Sequence, residues 1–425
     1  MRKKAILINP KFLPEANGVI ACLKNISPYF ANYFDLTIVT TKTVSKTKKD
    51  DVIDGVKIKR ISSTVDDLYV MFKEQFYSKS EEEKILDRSI IFRIKNILNA
   101  KLMHLFENLS KKYGVVSLDG YEKNFCNAFD KLKIDFDYII CPVMPRVNAF
   151  VAMQMLKKYK NAKMIFLQLD IYSRNPDLQN IPREVLINEQ KSFYEKAAVV
   201  TVQPGLMQYI DEDFAEFKDK ILPLHVPSLN KFFEEKNNKN ENEIKVVYAG
   251  SFLETVRPPR PMLEFFRIIC ETNKNVKLHL LSWGCSTIVE EYKNKMGEKL
   301  TLHGFLPMEE ASVIIESADI LVNIGNTLQE TMPSKTFEYI GRRKPIIHFF
   351  YAEDDVAMAV LKEYPMRLFV DANNIDSADK NEAISFIEKN SGKLCDVEEL
   401  KEKYTCYTAE YYVDTIAKYL GLENE

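Results

Sequence analysis

Short apolar runs alternate with stretches of helical periodicity along most of this chain, the spacing expected of parallel β-strands joined by crossover helices. In the first half, AILINP (5–10) precedes a helical pattern over 18–34, then LTIVTT (36–41) and VKIKRISS (56–63). FDYIICP (136–142), a helical pattern over 147–159, KMIFLQLD (163–170) and AVVTVQ (198–203) continue the series. Strands covered on both faces read as unbroken hydrophobic runs, and these do. A polar tract, FFEEKNNKNENE (232–243), then interrupts the pattern as a linker would. Beyond it the same grammar restarts with VVYAG (246–250), VKLHLLSWG (276–284), LTLHGFLP (300–307), DILVNIG (319–325), PIIHFF (345–350) and MRLFVD (366–371).

The pattern predicts two consecutive doubly wound α/β domains, 1–230 and 244–405, joined by a linker at 231–243. A final amphipathic helix within 406–425 is free to pack on either domain. Ligands of such sheets bind beyond the carboxyl ends of the strands, so the expected working surface is an interdomain cleft. Residues 65–133 break the alternation and read as a helical insertion. Within it, Arg88 to Tyr113 places Ile91, Ile94, Leu98, Leu102, Leu105 and Leu109 on one helical face and six Lys or Arg elsewhere. Such a helix suits an anionic inner-membrane surface. It equally suits packing on the N-terminal sheet with a solvated basic face.

Composition narrows the chemistry. With 59 Lys and Arg against 61 Asp and Glu, the formal charge of -2 gives no reason to expect a nucleic-acid partner. No run approaches the roughly 18 apolar residues of a membrane span, and MRKK leads into a strand rather than a secretory apolar region, so a cytoplasmic location is expected. Seven scattered cysteines read as free thiols, and five isolated histidines show no metal spacing. G-x-S-x-G, Walker A and G-x-G-x-x-G patterns are all missing, which removes support for acyl transfer, P-loop phosphoryl transfer and simple dinucleotide reduction.

The strongest local signal is NTLQETMPSKTFEYIGRRKPIIHF (326–349). Pro333 and Ser334 open a predicted helix whose first-turn N–H groups suit phosphate oxygens, and Lys335 adds charge. Glu330 and Glu338 bracket seven residues, one before the helix and one about a turn inside it, where both can accept hydrogen bonds from sugar hydroxyls.

This stretch resembles the donor-site signature of family-4-like glycosyltransferases of the GT-B fold, particularly bacterial enzymes of surface-polysaccharide assembly such as capsule, O-antigen or exopolysaccharide synthesis. The resemblance implies that Glu330 contacts the donor sugar, that Glu338 holds the ribose, and that Ser334 and Lys335 lie near the diphosphate. VVYAGSFLETVRPPRPMLEFF (246–266) is similar to the family's first strand, loop and helix of the nucleotide-binding domain. That similarity places Gly250 and Ser251 in the phosphate loop and makes Arg257, ahead of Arg260, the cation that stabilises the leaving diphosphate. The loop departs from the commonest pattern, since Ser251 follows Gly250 and no Lys-Gly appears. LTLHGFLPMEE (300–310) looks like the base-pocket segment, with His303, Gly304, Phe305 and Leu306 as lining; His303 reads as readily as a strand-end residue bonded to backbone.

In the N-terminal half, Asn17 and Gly18 stand where relatives carry a two-glycine loop, and Asp170 is retained where Leu169 replaces a frequent His. As a whole the resemblance implies a hexosyltransferase-type enzyme whose N-terminal domain binds acceptor. It would move a sugar from a nucleotide sugar to a saccharide or lipid-linked acceptor with retention of configuration, without a metal or other cofactor. A catalytically silent GT-B subunit that scaffolds another transferase is the alternative, motivated by the altered loops, and a sugar-nucleotide epimerase is a third reading.

Overall fold

The computed structural model describes residues 2–15, 17–77, 90–115, 121–234, 243–327, 335–376 and 378–423. It divides into two units, Met1–Pro227 with Ala409–Glu425, and Ser228–Thr408.

The first unit holds an eight-stranded sheet: β1 (Lys3–Ile8), β2 (Phe34–Thr41), β3 (Asp50–Ile53), β4 (Val56–Ile61), β5 (Tyr138–Pro142), β6 (Lys163–Leu167), β7 (Ala197–Val202) and β8 (Ile221–Pro223). Its spatial order is β3-β4-β2-β1-β5-β6-β7-β8, parallel except for the β3–β4 pair. Successive side chains of a strand point to opposite faces. In β1 they do: Ala5 and Leu7 join one buried cluster, Ile6 and Ile8 the other. The first cluster also contains Ile20, Leu23, Ile26 and Phe30 of the helix Gly18–Tyr33 together with Tyr412, Val413 and Ile416 of the last helix, Ala409–Tyr419. Tyr412 Oη lies 2.7 Å from Thr201 Oγ1 of β7, so the chain's last helix belongs to the sheet where the chain begins.

The antiparallel hairpin β3–β4 was not expected. It turns at Asp54 and Gly55, whose φ values of 50° and 78° are those a two-residue hairpin loop demands.

Among the inserted helices, Thr64–Tyr77 and Ile90–Tyr113 meet through Phe72 and Phe106, stacked at 5.4 Å. A buried Asp66 accepts from Ser110 Oγ at 2.6 Å and Val115 N at 2.9 Å. Of the apolar face expected of 88–113, Leu102 and Leu109 are half-buried and Leu98 and Leu105 are 54% and 52% exposed, while the fully buried positions are Met103 and Ser110. Arg88 lies outside the described residues. No helix among the described residues is long and apolar enough to cross a membrane.

The second unit holds a six-stranded parallel sheet: β9 (Ile244–Ala249), β10 (Val276–Leu281), β11 (Leu300–Leu302), β12 (Ile320–Ile324), β13 (Ile346–Phe350) and β14 (Arg367–Asp371), in the order β11-β10-β9-β12-β13-β14. Val246 and Tyr248 face one core, Val247 and Ala249 the other. The third expected strand of this half stops at Leu302 rather than running to 307, because Gly304 turns the chain at φ 69°.

Candidate functional site

The carboxyl edge of the second sheet is built around the adjacent strands β9 and β12. After β9 the chain folds back on itself, Arg257 N donating to Leu253 O at 2.6 Å and Leu253 N to Arg257 O at 3.2 Å. Thr327, beyond β12, ties this loop down through its N–H to Val256 O (2.8 Å) and its hydroxyl to Thr255 O (2.7 Å). The loop thereby carries the Arg257 guanidinium onto Asn326, with Nη2 and Nε at 2.7 and 3.2 Å from Oδ1. Tyr248 stacks on Phe252 and donates to Ser251 O at 3.1 Å. Gly250 is required beneath that ring, since a Cβ there would lie 2.9 Å from Tyr248 Oη and 3.8 Å from Arg257 Nη1. Ser251 thus contributes its carbonyl, and Gly250 its lack of a side chain.

Opposite this loop stands the helix Lys335–Arg342. Its Tyr339, fully buried, pins it to the end of β9 by accepting from Ala249 N at 3.1 Å and donating to Ala249 O at 3.3 Å. In its first turn, Lys335 Nζ lies 2.6 Å from Glu338 Oε2, both about one third exposed. Tyr248, Ala249, Arg257, Asn323, Ile324, Lys335 and Tyr339 together line a small pocket. Two cations therefore face one concavity, and Arg257 is held by a neutral amide rather than a carboxylate among the described residues. Positive charge left uncompensated beside a helix N-terminus attracts anions.

Arg260 lies outside this lining. It starts the helix Arg260–Thr272, is exposed, and pairs with Glu291 at 3.2 Å. Glu330 and Ser334 fall outside the described residues.

The segment His303 to Leu306 follows β11, two strands across the sheet from β9, and does not line the pocket. His303 bonds Leu280 O through its N–H at 2.9 Å, and its Nε2 lies 3.0 Å from His279 Nδ1. His279 in turn reaches Glu243 at 3.3 Å. Burial, followed by the charge of Lys245, pushes the pKa of both imidazoles down. Phe305 is 80% exposed, while Leu306 packs against the buried cluster that contains Ile315.

In the first unit, Asn17 is extended (φ -155°) rather than left-handed and caps its helix by accepting from Ile20 N at 2.8 Å. Gly18 adjoins open space, with nothing within 4 Å of where a Cβ would stand. Asp170 follows β6, two places from β1 in the sheet. Its side chain reaches solvent while the surrounding protein raises its pKa by desolvation. It caps no helix, for the following short helix has Ile171 at its N-cap and no side-chain cap bond.

Sequence reasoning missed three buried polar residues, Asn323 in the pocket wall and His348 and Asp355 behind it, because the first two sit inside apolar strand runs and read as core. Among the described residues, no group of three or more His, Cys, Asp or Glu is arranged to hold a metal.

No family model and no curated protein matches the chain. Solved structures do. The chain is similar to sucrose-phosphate synthase from Thermosynechococcus elongatus, with a TM-score of 0.58 at 14% identity over 99% of each chain. HepE from Anabaena, in complex with UDP and glucose, gives 0.52 at 10% identity over 99% of this chain and 100% of that one. A Listeria monocytogenes protein described as a UDP-N-acetylglucosamine 2-epimerase gives 0.51 at 11% identity over 99% and 97%. These likenesses show the fold: mixed α/β, with two parallel-sheet units, GT-B. Because a synthase and an epimerase share it, the chemistry has to be argued from the site.

Proposed function

We propose that this protein is a glycosyltransferase that binds a nucleotide-diphosphate sugar at the carboxyl edge of its second sheet and transfers the sugar to a hydroxyl of a saccharide or lipid-linked acceptor. The observation that carries this reading is the convergence of Arg257 and Lys335 on one pocket at a helix N-terminus, a charge arrangement suited to a diphosphate. HepE, of the same fold, was solved with UDP and glucose.

In the reaction, the bond between the anomeric carbon and the diphosphate oxygen breaks and a bond from that carbon to the acceptor oxygen forms. The acceptor proton passes to an oxygen of the departing diphosphate, which accounts for front-face substitution and retention. Negative charge grows on the leaving diphosphate, and a fixed guanidinium stabilises it more in the transition state than in the ground state. Arg257 has that role, with Lys335 and the helix N–H groups beside it. Glu338 accepts from the ribose hydroxyls. Glu330, on the donor sugar, and Ser334, near the diphosphate, keep the roles implied by the family resemblance. In the first unit, Asp170 accepts a hydrogen bond from the acceptor hydroxyl, and the open edge at Asn17 and Gly18 admits the substrate's bulk. The resemblance also supports hexosyl transfer in surface-polysaccharide assembly, with the helix at 88–113 resting on an anionic inner-membrane surface.

The test is thermal shift with UDP-, GDP-, ADP- and CDP-linked sugars on wild type and Glu338→Ala, followed by product analysis with and without acceptor. A ligand that binds only the folded state raises the melting temperature. Stabilisation by one nucleotide sugar, lost in the variant, with acceptor-dependent release of the nucleoside diphosphate, is expected. Conversion of the donor sugar without acceptor would instead make the protein an epimerase, and no binding at all would favour a silent subunit.

A further inference from the structure

Behind the pocket runs a buried chain of hydrogen bonds. Asn323, on β12, is 3% exposed, His348, on β13, and Thr336 are fully buried, and Asp355, after β13, is 5% exposed. Asp355 Oδ1 lies 3.2 Å from His348 Nε2 and accepts from Met358 N at 2.8 Å, capping the helix Val356–Leu361. Burial acts to raise the Asp355 pKa, but the bond from His348 and the backbone N–H groups hold it below the ordinary value. An ionised carboxylate only accepts, so the His348 proton sits on Nε2 and Nδ1 keeps its lone pair. That lone pair fixes the next link: Asn323 Nδ2 donates to His348 Nδ1 at 3.1 Å, and with its second hydrogen to Thr336 Oγ1 at 3.1 Å. Both amide hydrogens are thereby used. Asn323 Oδ1, by contrast, has no partner among the described residues, and the residue lines the pocket with Arg257 and Lys335. The backbone leaves room for the arrangement at Gly325, where a Cβ would lie 2.0 Å from Asp355 Oδ2.

An amide oxygen at a pocket wall with no donor among the described residues is open to a hydroxyl of a bound ligand, and a ligand group placed there replaces water with a fixed hydrogen bond. We infer that Asn323 Oδ1 accepts a hydrogen bond from a sugar hydroxyl of the bound donor, and that His348 and Asp355 are positioning residues that lock the amide with its oxygen toward the ligand. This rests on the donor-site reading above. The hydroxyl belongs to the ribose or to the transferred sugar, and the chemistry of recognition is the same for both.

The experiment has two parts. The first is 15N NMR of the His348 ring in the full chain, which needs no ligand. The Nε2–H tautomer is expected in the wild type. Asp355→Ala removes the acceptor that holds the Nε2 proton, so the Nδ1–H form should gain population and turn the Asn323 amide around. A wild-type Nδ1–H tautomer, or the same tautomer ratio in Asp355→Ala, overturns the positioning pair.

The second part is calorimetric binding of the nucleotide sugars and of the matching free nucleoside diphosphates. Asn323→Ala should weaken the nucleotide sugar about tenfold to a hundredfold, the loss expected for one buried hydrogen bond to a ligand. Asp355→Ala and His348→Phe should weaken it comparably, and His348→Gln, which retains an acceptor and a donor, should recover part of the loss. An equal penalty on the free diphosphate assigns the hydroxyl to ribose; a penalty confined to the nucleotide sugar assigns it to the transferred sugar. Wild-type binding that is unchanged in Asn323→Ala overturns this inference and leaves the donor-site reading standing. Failure of the wild type to bind any member of the panel overturns both.

Discussion

The carboxyl edges of the two sheets differ in how much of their polar chemistry is already committed. On the second sheet, Arg257 is held by Asn326, Lys335 by Glu338, and Asn323 by Thr336 and His348. On the first, Asn17 caps its own helix, Gly18 opens on empty space, and Asp170 makes no hydrogen bond or ion pair with any described residue. A site whose charges are fixed before the ligand arrives suits a ligand with an invariant group, such as a diphosphate. An open edge with one raised-pKa carboxylate suits a partner whose shape varies and whose reacting group is a single hydroxyl. Substitutions on the two edges should therefore fail differently.

The largest effect is expected at Arg257. If Arg257 has the role proposed above, replacing it with Ala should lower kcat about 10²- to 10³-fold, the usual cost of losing one such donor. Arg260→Ala should change kcat no more than about twofold, because an exposed Arg260–Glu291 pair outside the pocket is worth little. Steady-state turnover of both variants checks this, and equal losses would erase the distinction between them. On the other edge, Asp170→Asn should lower kcat about tenfold, the cost of weakening one charged hydrogen bond that orients the acceptor hydroxyl, while leaving donor affinity as it is. A comparable fall in donor affinity would assign Asp170 to the wrong ligand. Glu338→Ala should do the reverse, weakening nucleotide-sugar binding about tenfold or more through loss of a charged acceptor, read by calorimetry.

How much of this was legible in the sequence depends on the range of the interaction. The parallel strands were visible because residues such as Ile139 and Ile140, or Leu321 and Val322, are buried on both faces and leave unbroken apolar runs. The hairpin at 50–61 was overlooked although Asp54-Gly55 between apolar positions is its usual signal; the run that follows drew attention as an isolated strand. β8, three residues long, carries too little pattern to register. In the site, Lys335 and Glu338 are three apart on one helix and their pairing follows from helical geometry. Arg257 and Asn326 are 69 residues apart, and only the adjacency of β9 and β12 joins them. Asn323 and His348 were hidden by their neighbours: a polar residue inside ILVNI or IIHFF looks like a tolerated core position until its partner on the next strand is known.

The smallest effect tests the other end of the second sheet's order. His279 and His303 hydrogen-bond ring to ring at 3.0 Å, stacked at 18° between planes, with Glu243 on the far side of His279. Burial first, then Lys245, lowers both pKa values from 6.5, with Glu243 partly opposing the shift at His279. Between each lowered folded value and 6.5 the unfolded chain binds a proton that the folded one refuses. Folding stability therefore rises with pH across that window and is lost as the pH falls from about 6.5 through the folded values. The carboxylates with shifted values in this unit do not mimic the effect. Asp355, whose pKa is lowered, loses its contribution only below 3.8, Glu243, Glu264 and Glu291, also lowered, lose theirs only below 4.5, and Asp319, raised by burial, destabilises as pH rises above 3.8, the opposite slope. Urea unfolding at pH 7.5 and 5.5 should show the wild type less stable at the lower pH, with His225, lowered by burial, adding the same slope in both proteins, and His279→Gln, which removes one titrating ring, should show a shallower dependence. Equal slopes in the two proteins would mean that the imidazole pair is solvated well enough to titrate normally, and that the committed character of this sheet ends at the pocket.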